Sequence, residues 1–459
     1  MTDNSFSKLD LGPQWLEMLD RIGYTEMTPI QAKSLPMMLA GGDVIGQANT
    51  GTGKTAAFGL SLLNRIKPAS DLPGALVLCP TRELATQVTD ELRRLAWALP
   101  NTNIVTICGG RSFTRQQSSL RHGVDVVVGT PGRVLDHLRK ETLDLSKLST
   151  LVFDEADRML DMGFIDDVAA IAQKAPKRRQ TLLFSATFPS ELRQLSERFQ
   201  RQAKHISVID ESAAPDISQR LFDIDGVERL QALERVLCNL QPESAVIFCN
   251  QRETCDEVVD RLRELGYSAE SLHGGMEQRD RDNTLIRFGN GSLRLLAATN
   301  VAARGIDIDE LDAVINYELP WETKTFVHRI GRTGRAGEKG MAISLISDKD
   351  ERRLGELEQY LGHIEVEAAA DLMPTDYTPP PAVMKTIAIG GGRKDKLRPG
   401  DIVGAFTGDF GVDGDAIGDI QIKDRIAFVA VERHLADKLV RAIGRGQIKG
   451  RNFSAFIVD

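Results

Sequence analysis

Thr150-Leu151-Val152-Phe153-Asp154-Glu155-Ala156-Asp157 is a short apolar run that ends abruptly in three acids with one alanine among them. The run predicts a buried strand, and the acids fall at its carboxyl end. In an open parallel α/β sheet, ligands sit beyond those ends, so acids placed there face a site. One carboxylate can then serve a metal and the next a water. A strand running into a solvated acidic turn accounts for the same eight residues. What else reaches that edge decides between the two.

Working outward, short apolar runs alternate with longer helical patterns, which predicts parallel α/β architecture. The first series is Asp43–Ile45, Ala75–Leu78, Ile104–Ile107, Val124–Val128, Leu151–Phe153 and Thr181–Phe184. Each breaks into a polar segment bearing glycine or proline. A second series runs through Ala245–Phe248, Leu293–Ala297, Ala313–Ile315 and Met341–Ile346. Between the series, polar and proline-bearing Asp210–Asp216 reads as a linker. Met373–Pro381 is a second break, since its prolines favour an extended polyproline-like spacer. The expected units are 1–209, 217–366 and 383–459, with 367–382 as linker.

Composition narrows the class. A hydrophobic fraction of 42% with 27% charged residues is that of an ordinary soluble globular protein. The net charge of −8 excludes a polycation, so any nucleic-acid surface must be local. Val383–Asp459 carries thirteen Lys/Arg against ten Asp/Glu, net +3, which leaves −11 for the rest. Cys79, Cys108, Cys238, Cys249 and Cys255 show no C-x-x-C spacing and are expected as reduced, buried thiols rather than zinc ligands. The start lacks the apolar segment of a signal peptide, and no run approaches the ~18 apolar residues of a membrane span. A cytoplasmic protein is expected. Gly/Asp-rich Thr407–Asp419 lacks the alternating ligands and closing Glu of a calcium loop, and reads as turns.

Ala48-Asn49-Thr50-Gly51-Thr52-Gly53-Lys54-Thr55 follows a predicted strand and opens a helical run, the context of a phosphate-binding loop. Its glycines let backbone N–H groups close on phosphate oxygens, and the helix N-terminus adds partial positive charge. Lys54 would reach the β- and γ-phosphates and Thr55 would hold Mg²⁺. Ala48 stands where the general form has its first glycine. With this loop in view, Asp154 is assigned to the same Mg²⁺ and Glu155 to the attacking water.

In motif order over about residues 6–366, the chain resembles the DEAD-box RNA helicases. Gly23–Gln31 matches the family's adenine-reading motif, in which Gln31 would pair with the base edge and Tyr24 stack on it, with Met27 where proline is usual. The resemblance assigns RNA contacts to Pro80, Thr81 and Arg82, to Gly110, and to Thr130, Pro131, Gly132 and Arg133. It makes Ser185 and Thr187 a coupling motif joined to Asp157. In the second unit it assigns RNA contacts to Arg252, Gly275, Arg281 and Thr299, and the nucleotide ribose to Asp307. Asn300 stands where relatives carry Asp, and no role is assigned to it. Arg332 and Arg335 of His328–Arg335 are implied arginine fingers; three apart, they are expected on one helical turn.

The resemblance implies two tandem RecA-like parallel-sheet domains, with ATP and Mg²⁺ as cofactors and single-stranded RNA crossing both. The strands and helices after Pro381 suit a C-terminal RRM-like α+β RNA-binding domain without the paired aromatics that stack bases. Arg393, Lys394, Lys396, Arg398, Lys449 and Arg451 are its candidate RNA contacts. This arrangement is similar to the DbpA-type bacterial branch, whose tail binds a hairpin of 23S ribosomal RNA during large-subunit assembly. The expected activity is ATP-dependent RNA unwinding by a monomer acting on 23S RNA and pre-50S particles. An ATP-gated RNA clamp that seldom unwinds, and a DNA translocase, remain alternatives.

Overall fold

A computed structural model describes residues 4–49, 51–208, 217–303, 311–334, 340–361, 365–373 and 377–458. The linker expected at Asp210–Asp216 lies outside them, as do Asp307 and Arg335. The chain divides into two compact units, Met1–Ala214 and Pro215–Asp459.

The first unit is built on seven parallel strands: β1 Val44–Gln47, β2 Ala75–Leu78, β3 Ile104–Ile107, β4 Val126–Gly129, β5 Thr150–Phe153, β6 Gln180–Ser185 and β7 Lys204–Ser207. Their spatial order is β3-β4-β2-β5-β6-β1-β7, so β1 and β2 are neighbours in sequence but separated in the sheet by β5 and β6. Helices cover both faces, so the central strands β4, β2, β5 and β6 are buried at every position and mostly apolar. Along β6, Leu182 and Phe184 join one buried cluster while Leu183 joins the other, the two-residue period of a strand. Gly46, in register with Phe184, makes room for its ring; a Cβ there would lie 2.5 Å from the ring edge.

The second unit repeats the design with β8 Ile217–Asp223, β9 Ala245–Cys249, β10 Ala269–Leu272, β11 Leu295–Thr299, β12 Ala313–Asn316, β13 Gly340–Ile346 and β14 Val366–Ala368, all parallel. The order β10-β11-β9-β12-β13-β8-β14 places β9 beside both β11 and β12. The same unit contains a four-stranded antiparallel sheet of β15 Met384–Ile389, β16 Ile417–Ile422, β17 Ala427–Glu432 and β18 Ala455–Ile457, ordered β16-β17-β15-β18. One face of it (Ile387, Ile389, Val429, Val431) packs on the helices Pro399–Gly404 and Ala436–Arg445 through Ile402, Leu439 and Ile443.

Two expectations are corrected. Strands β7, β8, β10, β14 and β16 were not predicted; residues such as Lys204-His205 and Glu270-Ser271 give them no apolar run, and neighbouring strands supply their order. Thr407–Asp419 is not a string of turns: a π-helical turn covers Ala405–Asp409, and β16 begins at Ile417. Of the spacer before the tail, the described part is held to the second unit: Arg294 Nη1 donates to the Pro380 carbonyl at 2.8 Å and the Tyr377 ring lies 6.4 Å from that of Tyr267.

Candidate nucleotide and RNA sites

The carboxyl edge of the first sheet carries two neighbouring sets of loops. Beyond β5, β6 and β1 lie Asp154–Asp157, Ser185–Thr187 and Ala48–Thr55; beyond β3, β4 and β2 lie Gly109-Gly110, Thr130–Arg133 and Pro80–Arg82.

The loop after β1 is shaped by its glycines. Gly51 (φ 79°) and Gly53 (φ 86°) are left-handed, and a Cβ on Gly53 would meet Gln31 Nε2 at 2.5 Å. Lys54, buried at the start of helix Lys54–Arg65, donates to the Ala48 carbonyl at 2.9 Å. Thr55 is half-buried one residue on. Gln31 is bound into this loop: its Oε1 accepts the Thr28 N–H at 2.9 Å and its Nε2 donates to the Gly53 carbonyl at 3.1 Å. By count, one N–H and one lone pair of that amide remain for a ligand. Tyr24 donates to Glu91 Oε1 at 2.8 Å, under the Arg94 guanidinium and beside Phe6.

Asp154 is 2% exposed, and its Oδ1 accepts the Glu155 N–H at 3.1 Å. Burial and the neighbouring Glu155 carboxylate push Asp154 above the usual carboxylate range, against the pull of Lys54. A buried carboxylate in that position calls for a cation, and carboxylate and hydroxyl oxygens are hard donors suited to Mg²⁺. Glu155 has left-handed backbone (φ 50°) at the start of helix Ala156–Asp161, and Arg158 Nη1 lies 2.7 Å from its Oε2. That contact is an ion pair by distance rather than an aligned hydrogen bond. Sequence reasoning overlooked Arg158, although its spacing of three from Glu155 on a helix start is the signal for such a pair.

Asp157 is bound to the segment at the end of β6. Its Oδ2 accepts the Thr187 N–H at 2.9 Å and the Thr187 hydroxyl at 3.0 Å, while Ser185 Oγ accepts the Asp157 N–H at 3.2 Å. Burial raises Asp157, but the hydrogen bonds from Thr187 and Ser185 outweigh it and hold the carboxyl below its ordinary value. Asp157, Ser185 and Thr187 are therefore brought together.

In the other loop set, Arg82 lies over Gly109, and Arg133 donates to the Arg111 carbonyl at 3.2 Å. Thr81 and Pro131 are buried, and Thr81 Oγ1 caps its helix through the Leu84 N–H. Gly110 is exposed, and Thr130 and Gly132 are half-buried.

In the second unit, Arg252 is exposed at the end of β9 and its side chain passes within 3.7 Å of the Cβ position of Gly275. Thr299 ends β11 in register with Cys249. Arg281 is half-buried in helix Gln278–Gly289. Arg332 does not occupy the helical turn expected for it. Helix Thr323–Ile330 stops at Gly331, and Arg332, 9% exposed, follows in the turn.

A second residue that sequence reasoning passed over is Arg329. It is 2% exposed and donates to Asn300 Oδ1 (2.6 Å), Asn316 Oδ1 (3.0 Å), Asn250 Oδ1 (2.9 Å) and the Glu318 carbonyl (2.6 Å). Every one of these acceptors is neutral, and burial lowers Arg329 to about 9. Asn300 thus has a place after all, tying β11 to the helix that precedes Arg332.

In the tail, the six basic candidates sit on turns at one end of its sheet. Lys449 Nζ donates to the Lys396 carbonyl and to Asp401 Oδ2, both at 2.9 Å; Arg451 donates to the Asp395 carbonyl at 3.2 Å and Arg393 to the Ile422 carbonyl at 2.9 Å. Lys394 lies 4.0 Å from Asp424, and Arg398 caps the following helix through its backbone. Lys396 (φ 61°) and Lys449 (φ 56°) are both left-handed. Lys423 and Arg425 share this end, since a Cβ on Gly392 would strike their backbone at 2.4 and 2.6 Å. The other face of the tail sheet is partly covered, with Phe456 left 46% exposed on it. Ala388, Phe428 and Val458 pack on Ile286 of helix Gln278–Gly289, and Thr386 exchanges hydrogen bonds with Asn290 and Ser292. That contact supplies a physical reason for the missing base-stacking aromatics.

Comparison with known proteins agrees with this geometry. The family description "DEAD/DEAH box helicase" matches residues 28–195, "Helicase conserved C-terminal domain" residues 228–337, and "DbpA RNA binding domain" residues 386–455. The chain is 49% identical over 448 residues to the ATP-dependent RNA helicase DbpA of Escherichia coli (strain K12), covering 97% of this chain and 98% of that one. It is 36% identical over 468 residues to DbpA of Bacillus subtilis (strain 168), with the same coverage. Its structure is similar to that of S. cerevisiae Dbp5 bound to RNA and ADP BeF3, with a TM-score of 0.70 and 32% identity over 81% of this chain and 96% of that one.

Proposed function

The chain belongs to the DEAD-box ATP-dependent RNA helicases, in their DbpA branch, and from that premise we propose that it opens short duplexes in 23S ribosomal RNA during large-subunit assembly, as a cytoplasmic monomer. ATP would lie on the loop after β1, its base against Tyr24 and Gln31, its phosphates on Lys54 and the backbone N–H groups of Gly51–Thr55, and its ribose on Asp307. Thr55 and Asp154 would hold Mg²⁺, which when bound supplies charge neutralisation at the phosphate oxygens. Glu155 would orient and deprotonate the attacking water, with Arg158 keeping it in place. Arg332 and Arg335 would stabilise the charge that develops on the transferred phosphoryl group. RNA would follow Pro80–Arg82, Gly110 and Thr130–Arg133 in one unit, and Arg252, Gly275, Arg281 and Thr299 in the other.

The observation that supports the ribosomal reading best is the pairing of the tail's basic turns through Lys449 and Lys396 while the sheet face is packed on Ile286. A structured RNA element held by those turns would lie beside the unwinding unit, on the same rigid packing. ATPase stimulation by a 23S fragment, compared with an unrelated hairpin duplex of equal length, tests it in the full chain. The wild type should prefer the 23S fragment, and Lys394→Glu with Arg398→Glu should lose that preference while retaining stimulation by the unrelated RNA. Equal stimulation of the wild type by both RNAs rules out the ribosomal assignment.

A further inference from the structure

The most exposed aromatic residue among the described residues is Trp321, at 73%, in a chain whose other large rings are mostly buried. It follows β12 in the segment Glu318–Glu322, immediately before helix Thr323–Ile330. An indole left in water forfeits the burial that a ring of its size brings. It is also held still. The Arg353 guanidinium lies 3.8 Å from the ring centroid, and Arg353 Nη1 is fixed by Asp350 Oδ1 at 3.2 Å and the Leu319 carbonyl at 3.3 Å. One face of the indole is backed by this anchored cation, and the ring as a whole remains largely exposed.

The position of this platform says what it would meet. β12 pairs with β9, and the segments that follow the two strands are tied together. The Asn250 N–H donates to Glu318 Oε2 at 2.7 Å, and Asn250 Nδ2 donates to the Leu319 carbonyl at 3.0 Å. Asn250 is two residues from Arg252, and Leu319 two from Trp321. Along the carboxyl edge, the ends of β10, β11 and β9 carry Gly275, Thr299 and Arg252, and β12 with Trp321 is the next strand in that row. A phosphate backbone on the first three would send its bases or its next nucleotide toward the fourth.

We propose that Trp321, backed by Arg353, is a stacking platform for one unpaired RNA base at the edge of the second unit's RNA path. The proposal rests on the assignment of RNA to that edge. It adds a contact of a different kind, since the other candidates on the edge offer charges, hydroxyls and backbone to phosphate, whereas a rigid indole recognises the flat face of a base. Stacking tolerates any base, so sequence independence is preserved.

The test uses the full chain with a non-hydrolysable ATP analogue and a single-stranded oligoadenylate, set against the same oligomer with all bases removed. Trp321→Ala should weaken binding of the oligoadenylate by roughly 5- to 100-fold, leave binding of the abasic strand unchanged, and leave the salt dependence of binding unchanged. Trp321→Phe should restore most of the loss. Arg252→Ala, run alongside, reports on the edge itself and should reduce the salt slope by about one. A loss for Arg252→Ala with none for Trp321→Ala overturns the stacking contact alone. Equal losses for the two strands in Trp321→Ala also overturn it. No loss for either variant removes RNA from the edge and the proposal with it.

Discussion

Thr187 donates to the Asp157 carboxylate twice, from its backbone N–H at 2.9 Å and from its hydroxyl at 3.0 Å, both to Oδ2. The two residues follow adjacent parallel strands, β5 and β6, and the same turn that carries Asp157 carries Asp154 and Glu155 one helical step earlier. We propose that a shift of the segment after β6 reaches the turn of Asp154 and Glu155 through this carboxylate. Thr187→Val removes the hydroxyl donor and keeps the shape. The expected result is a loss of about 1 kcal/mol in stability, with RNA-stimulated ATP turnover reduced more than turnover without RNA. Equal reduction of the two rates would show that Thr187 acts only on stability.

Glu155 and Arg158 make a nearly buried ion pair, so neutralising the acid has two separable consequences. Glu155→Gln should lower ATP turnover by about 10²- to 10⁴-fold while leaving nucleotide binding intact. It should also cost about 1–3 kcal/mol of stability, because Arg158 is left without its carboxylate. Glu155→Gln combined with Arg158→Met should recover the stability and none of the turnover. Undiminished hydrolysis in the single variant would remove Glu155 as the base.

Much of this arrangement was legible from residues alone. The apolar run ending in Asp154-Glu155 is a buried parallel strand as read from the residues, and the glycines before Lys54 form the expected turn from strand into helix. Arg329 was not legible, because its importance lies in three asparagines, two just after β9 and β11 and one at the end of β12, more than sixty positions apart at the extremes, and no local pattern joins them. The strands β8 and β14 were hidden for a similar reason. Arg220 and Glu367 face each other across that pair, with Nε 2.7 Å from Oε1, and such cross-strand partners appear only once the sheet order is known. Arg332 was placed on a helix because spacing of three suggests one; Gly331 ends the helix first.

Arg329 also supports a prediction about Asn300. A buried guanidinium whose direct acceptors are all neutral, with the Glu318 carboxylate acting only from a distance, gains from a counter-charge in direct contact. Asn300→Asp keeps the shape and places a carboxylate oxygen at the 2.6 Å contact with Arg329 Nε. Stability of the second unit should rise by roughly 1–3 kcal/mol, read as an upward shift of the denaturant midpoint. Asn300→Ala should lower it. A midpoint that falls in the Asp variant would show that the amide's N–H₂ makes a contact worth more than the charge.

His137 gives a pH signature in the first unit. It is fully buried against Phe113, with Nδ1 2.7 Å from Thr142 Oγ1 and Nε2 3.2 Å from Gln116 Oε1. Burial, helped by the Arg133 and Lys140 charges and opposed by Asp136, lowers it to about 4. The unfolded chain binds that proton at about 6.5, so between these values the unfolded state holds more protons and stability falls as pH falls. Asp154 acts in the opposite sense, since its raised value makes the folded state the one that gains a proton above the ordinary carboxylate range. The difference between wild type and His137→Gln isolates the histidine: it should shrink by on the order of 2 kcal/mol from pH 7 to pH 4. A difference that is flat across this range would mean that His137 is not the titrating group.

The tail's contact with helix Gln278–Gly289 makes the last prediction. Deleting the tail would expose Ile286 and leave Asn290 without Thr386, so truncation confounds loss of RNA binding with damage to the second sheet's packing. Point variants separate them. Ile286→Ala removes a side chain that is 7% exposed between Phe428 and Ala388, and should weaken the contact by roughly 2–4 kcal/mol. Proteolysis of the extended segment after Tyr377 should then accelerate, because Arg294 and Tyr267 no longer hold it against a fixed tail. Affinity for a short RNA hairpin should be unchanged, since none of the six basic candidates is among the residues packed on Ile286, while the ATPase stimulation by that hairpin should fall. If affinity and stimulation fall together, the covered sheet face takes part in RNA binding itself, and the contact with Ile286 would have to open for RNA to enter.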